Sequence, residues 1–114
     1  MNIGETLYVT DRDDFRKWLI QNHQAKKEIW VIQYKKNTKK PSINYAEAVE
    51  EAICFGWIDS SKKGMDEERF ATRFSPRKPK SNWTNTNKDR ARKMIAEGRM
   101  SPAGKATLPP DVLI

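Results

Sequence analysis

Seven side chains between Arg73 and Asn87 could hold an anion together: Arg73, Arg77, Lys78, Lys80, Ser81, Trp83 and Asn87. Guanidinium groups are rigid forks that match phosphate or carboxylate, and an indole adds a flat face at little entropic cost. Most of these residues fall in F-S-P-R-K-P-K-S-N-W-T-N-T-N-K, Phe74 to Lys88, where two prolines stiffen the chain and no acid interrupts the cations. Ser81, Asn82 and Asn87 can donate hydrogen bonds, and the segment leads into a helix start whose amides carry partial positive charge. The competing reading is a solvated loop whose arginines pair with Asp59, Asp66 or Glu67. Trp57, placed where a helix ends and a strand begins, reads as packing. Trp83, set among cations, is the better ligand contact.

Acid–base chemistry has two candidates, Asp59 and Tyr45. Asp59 follows two large apolar residues and could be partly buried with a shifted pKa. A lone carboxylate is weak support for catalysis, so Asp59 is expected to be a structural counter-ion to Arg73 or Arg77, and no residue is assigned as catalytic. Tyr45 is expected to pack with its hydroxyl at the surface. His23 and Cys54 do not make a metal site between them. His23 is expected to end the first helix and Cys54 to be a small core residue. No glycine-rich phosphate loop and no nucleophile triad spacing is present, and neither a metal nor a cofactor is expected.

These residues need a scaffold, and 114 residues suffice for one domain with its own core. The net charge of +7 favours attraction to polyanions: nucleic acid, anionic lipid or an acidic protein. A single cysteine excludes an internal disulfide. Met1 to Val9 lacks the cationic and apolar regions of a secretory signal, and no window reaches the length of a membrane span, so a cytoplasmic location is expected.

The pattern of apolar residues predicts the elements. Leu7 to Val9 could be a first strand, and T-D-R-D from Thr10 predicts a helix cap, followed by Phe15, Trp18 and Leu19 on one helical face. Glu28 to Tyr34 is apolar on both sides, as a central strand would be. After a basic turn at Asn37 to Pro41, Asn44 and Glu47 open a second helix with Tyr45, Ala48, Val49, Ala52 and Ile53 inward, closed by Gly56. Trp57 to Ser61 and Arg69 to Phe74 read as strands joined by a turn over Lys62 to Glu68. A third helix starts near Thr84 to Asn87, turns Ala91, Met94 and Ile95 inward and stops at Gly98. The expectation is an α+β domain over residues 1–104, a small, largely antiparallel sheet covered by about three helices, with an irregular tail over 105–114.

Several of these residues also form a pattern: Trp18-Leu19, Lys35-Lys36, Tyr45 with Glu47-Ala48, and Ala52 to Asp59. It continues through Pro76-Arg77-Lys78, Ser81, Trp83, Asn87, and Arg99-Met100 with Pro102-Ala103-Gly104. In combined spacing it resembles the YdeI/OmpD-associated family, also labelled bacteriocin-protection proteins. Ser60 departs from it, standing where that family commonly has glycine. The resemblance implies a YjbR/CyaY-like α+β fold and a role in envelope or antimicrobial-peptide stress, with no defined molecular activity.

The function expected on these grounds is non-enzymatic binding of an anionic ligand or acidic partner at the Arg73 to Asn87 surface. Two rivals stand beside it. A nucleic-acid module, binding weakly and without sequence preference, would need a basic stripe joining Lys35, Lys36, Lys39 and Lys40 to the Arg77 loop. A small enzyme would need Asp59 in a deep pocket beside Tyr45 or Arg73.

Overall fold

A computed structural model describes residues 2–113. Four strands lie in the order β1 (Thr6–Leu7), β2 (Ile29–Tyr34), β4 (Arg69–Pro76) and β3 (Trp57–Gly64), numbered by position in the chain. β1 runs parallel to β2, and the other neighbours are antiparallel. Four helices accompany them: α1 (Arg12–Asn22), α2 (Tyr45–Cys54), α3 (Asn85–Ala96) and the single turn α4 (Pro102–Lys105). The architecture is α+β, a small, largely antiparallel sheet with its helices.

β2 is interior to the sheet, and its first five residues are buried, as an uninterrupted apolar run requires. Ile29, Val31 and Phe74 join Phe15 and Leu19 of α1 and Val49 and Ile53 of α2 in the core. α2 is the central helix: every residue from Ala48 to Cys54 is buried, because α1, α3, β3 and α4 all pack on it. It starts where Asn44 accepts a hydrogen bond from the Glu47 amide, and it ends where Gly56 takes a left-handed φ of 76°. An added Cβ at Gly56 would also lie 2.9 Å from Thr107 and 3.0 Å from the Ala103 carbonyl.

The details depart from the sequence reading in several places. The first strand is Thr6–Leu7 and leaves Val9 outside. Asp11, not Thr10, caps α1, its carboxylate accepting from the Asp14 amide at 2.9 Å. A carboxylate caps as well as a hydroxyl and adds a favourable charge at the helix start. The β3–β4 hairpin is longer than expected, with an irregularity between Asp59 and Lys62. Asp66 closes its turn by accepting from the amides of Glu68 and Arg69. Ile95 is 43% exposed, because α3 packs on α2 along the Ala91–Met94 ridge alone. Beyond Lys105 the described residues form turns and no helix or strand. Pro102–Lys105 form a helical turn, and Leu108 and Val112 are buried in the core.

Candidate functional site

The segment from Arg77 to Thr84 leaves β4, crosses the exit of α2 and enters α3. The Arg77 amide donates to the Gly56 carbonyl at 2.8 Å, which pins the start of the segment to the end of α2. Ser81 closes a turn onto the Lys78 carbonyl, with Lys80 in the left-handed region at a φ of 62°. Thr84 caps α3 by accepting from the Asn87 amide. Fixed at both ends, the segment presents Arg77, Lys78, Lys80, Ser81 and Trp83 along one wall of a groove of about 500 Å³. Such a volume suits a small ligand. Residues 106 to 110 form the opposite wall.

Arg77 is one of the residues lining this groove. Its guanidinium lies 3.8 Å from the centre of the Trp83 ring and donates to the Ser81 hydroxyl at 2.9 Å and the Asn82 carbonyl at 3.0 Å. All of these partners are neutral. Burial holds the Arg77 pKa below its ordinary value, and the charge of Asp59 only partly opposes that. A half-buried cation with neutral partners carries its field into the groove, where a bound anion would neutralise it.

The other predicted residues divide. Arg73 sits apart from the groove, bonded to Glu28 at 2.6 Å and donating to Ser60 and Ser75. Ser60 thus accepts a hydrogen bond from Arg73. Asn87 lies off the groove wall; its side-chain carbonyl accepts from Arg90 at 2.9 Å. Among the described residues Asp59 forms no direct ion pair with Arg73 or Arg77, although its charge acts on Arg77. It accepts a 2.5 Å hydrogen bond from the Tyr45 hydroxyl. The Tyr45 hydroxyl is thus engaged by Asp59 in a partly buried place. Burial, reinforced by the hydrogen bond and charge of Asp59, pushes its pKa up to about 12. Near neutral pH this phenol is a fixed donor.

His23 caps the end of α1 against the Leu19 carbonyl, and Cys54 is a buried thiol whose pKa burial and Glu51 push up to about 11. Among the described residues no group of three or more His, Cys, Asp or Glu is placed to hold a metal ion. No helix among them is long and apolar enough to cross a membrane.

The sequence reading missed two features. The second wall of the groove comes from the segment expected to be irregular, which Asp111 ties to α3 through Lys88 at 3.0 Å. The other feature is Glu51, a fully buried carboxylate on α2 that meets Arg12 at 2.6 Å, Arg16 at 2.9 Å and Arg99 at 3.0 Å. Arg16 also donates to the Arg99 carbonyl, and Glu50 lies between Arg12 and Lys93. For Arg12 and Arg16, burial lowers the pKa, but the hydrogen bonds and charge of the neighbouring glutamates outweigh it, and both are raised. The available signal was a pair of spacings: Arg12 and Arg16 four apart on one helix, Glu47 and Glu51 four apart on the next.

No curated protein and no solved structure matches this chain. Residues 7–107 match the family described as Domain of unknown function (DUF8412), which includes both walls of the groove up to Thr107, and the chain belongs to that family.

Proposed function

We propose that this domain is a non-enzymatic binding module whose ligand is a phosphate-bearing or otherwise anionic group held in the Arg77 groove. The observation that carries the reading is Arg77 itself, stacked on Trp83, hydrogen-bonded only to neutral groups and facing a groove lined by two further cations. Lys78 and Lys80 are exposed and free to reach a ligand as it enters, while Ser81 is already placed beside the guanidinium. The hydrogen bond between Tyr45 and Asp59 gives the enzyme alternative its residues. A phenol whose pKa is about 12 is nevertheless a poor proton carrier near neutrality, so binding is the act we assign.

On residue pattern alone, we also place the chain with the YdeI/OmpD-associated proteins and in envelope or antimicrobial-peptide stress. Survival of a deletion strain challenged with cationic peptides tests that placement.

Titration with inorganic phosphate and with heparin at two salt concentrations tests the groove directly. Both should bind at low salt and weaken at high salt. Arg77→Ala should lower each affinity at least about tenfold, since a charge-assisted bidentate contact is removed. Absence of any response at low salt would remove the anion reading and leave the segment as a structural strap.

A further inference from the structure

The two walls of the Arg77 groove differ in kind. The first carries three cations, Arg77, Lys78 and Lys80, with the Ser81 hydroxyl beside the guanidinium. The second, residues 106 to 110, offers an anion no hydrogen-bond donor. The amides of Ala106, Thr107 and Leu108 already donate to the carbonyls of Pro102, Gly104 and Lys105, at 3.1, 3.0 and 3.2 Å. Pro109 and Pro110 have no amide hydrogen to give. The Thr107 hydroxyl is engaged as well, donating to the Gly104 carbonyl at 2.7 Å. What this wall turns toward a ligand is mainly hydrocarbon: Ala106 and Pro110 are exposed and Pro109 is half-buried.

A groove with these walls is poorly matched to a bare ion. Its volume of about 500 Å³ is in the range that holds a drug-sized molecule, much larger than a free phosphate. Such an ion would meet the cations and leave the proline rings facing water. Lys35, Lys36 and Lys40, which a nucleic acid would also use, line a separate groove that shares no residue with this one. A compact ligand fits the arrangement better than a polymer.

We propose that the ligand is a phosphate monoester on a compact apolar body, with the phosphate on the Arg77 wall and the body against Pro109 and Pro110. Three cations on one wall favour a monoester over a carboxylate, because a monoester approaches two negative charges near neutrality and a carboxylate carries one. The apolar wall contributes in two ways. It takes hydrocarbon of the ligand out of water, and it keeps water from the ionic contacts, which strengthens them. The proposal rests on the reading of the Arg77 groove as an anion site and adds the part of the ligand that the charges do not recognise.

Titration calorimetry with phenyl phosphate, inorganic phosphate, benzoate and benzyl alcohol separates these parts. Phenyl phosphate should bind at least about tenfold more tightly than inorganic phosphate, since the ring adds buried apolar area. Its heat-capacity change on binding should be the more negative of the two, the mark of apolar burial. Benzoate should bind at least about threefold more weakly than phenyl phosphate, having less charge for the three cations. Benzyl alcohol should give no measurable binding. Pro110→Ser leaves the Arg77 wall intact and should lower the phenyl phosphate affinity about threefold, with inorganic phosphate unchanged. Ala106→Asn, a second exchange at an exposed position of the same wall, carries the same expectation. Equal affinities and heat-capacity changes for phosphate and phenyl phosphate overturn the inference and leave the anion reading standing. So does a phenyl phosphate affinity unaltered in both variants, or benzoate binding as tightly as phenyl phosphate. Benzyl alcohol matching phenyl phosphate, or failure of both phosphates to bind, removes the anion reading as well.

Discussion

Two arginine-rich regions of this protein have opposite designs. Around Glu51, three guanidinium groups converge on one buried carboxylate, and Glu50, Glu47 and Asp13 take up part of the remaining charge. Around Arg77, one guanidinium rests on an indole with a hydroxyl and a carbonyl for company. The first arrangement is saturated and faces inward; its charges are satisfied by other parts of the chain. The second is unsaturated and faces a groove. Counting arginines therefore does not locate a binding site in a basic domain. Under the proposed function, the arginine to test is the one whose hydrogen-bond partners are all neutral.

The comparison makes its largest prediction at Glu51. Glu51→Gln keeps the shape and deletes the charge, leaving Arg12, Arg16 and Arg99 crowded in a low-dielectric place. Removing one side of a buried ionic cluster should cost about 3 kcal/mol or more, read as the shift of a urea unfolding midpoint. A change below about 1 kcal/mol would mean that the cluster is as replaceable as a surface pair. Arg77→Ala, the exchange that should empty the groove, should move the same midpoint by no more than about 1 kcal/mol, since it removes neutral hydrogen bonds and one stacking contact. A large loss there would erase the contrast.

Gly104→Ala probes the support behind both regions. The added Cβ would fall 2.3 Å from the Cys54 carbonyl oxygen, a backbone atom that cannot turn aside. α4 would have to lift from the end of α2, at a cost of about 1–3 kcal/mol. Because α4 leads into residues 106 to 110, phosphate affinity should fall with it. Stability lost with affinity unchanged would show that the second wall is dispensable for binding.

The smallest effect belongs to Tyr45. Its pKa is raised from the ordinary 10 to about 12, so the folded state favours the protonated phenol. That contribution is intact below pH 10 and is lost as pH climbs toward 12. Tyr45→Phe removes the group, and the variant's stability should fall less steeply than the parent's over that range. Ultraviolet absorbance of tyrosinate should contain a component near pH 12 in the parent that Tyr45→Phe lacks. Parallel stability curves would mean that the bond to Asp59 contributes little.

The parts legible in the sequence are those decided by near neighbours. Asn44 and Thr84 are identifiable as caps because a cap's partner lies three residues on. The stiffened run from Pro76 to Trp83 is identifiable as a built surface because its prolines and cations are consecutive. Arg73 is misplaced by sequence reading because its position depends on strand register. Trp30 pairs with Arg73 across β2 and β4, which brings Glu28 to the guanidinium from 45 residues away. The bond from Tyr45 to Asp59 is unseen for a similar reason, since Tyr45 belongs to another element. Glu51 is missed, despite those spacings, because a glutamate on a helix reads as solvated until the helix is found to be buried from Ala48 to Cys54. The groove's second wall is hidden in a proline-rich stretch whose order comes from docking, not from local propensity.

The Glu51 cluster also sets the order in which this protein can become itself. Its carboxylate lies 48 residues before Arg99, and Ser101 then seals the neighbouring Cys54 carbonyl. A growing chain that has made α1 and α2 still lacks one cation of the cluster and the turn that covers it. The contacts that complete the core come after α3 and span most of the sequence, so their closure waits on long loops. Commitment to the native state consequently waits for Arg99 and Ser101 to be made, and a chain truncated before Arg99 should emerge as a substrate for chaperones and proteases.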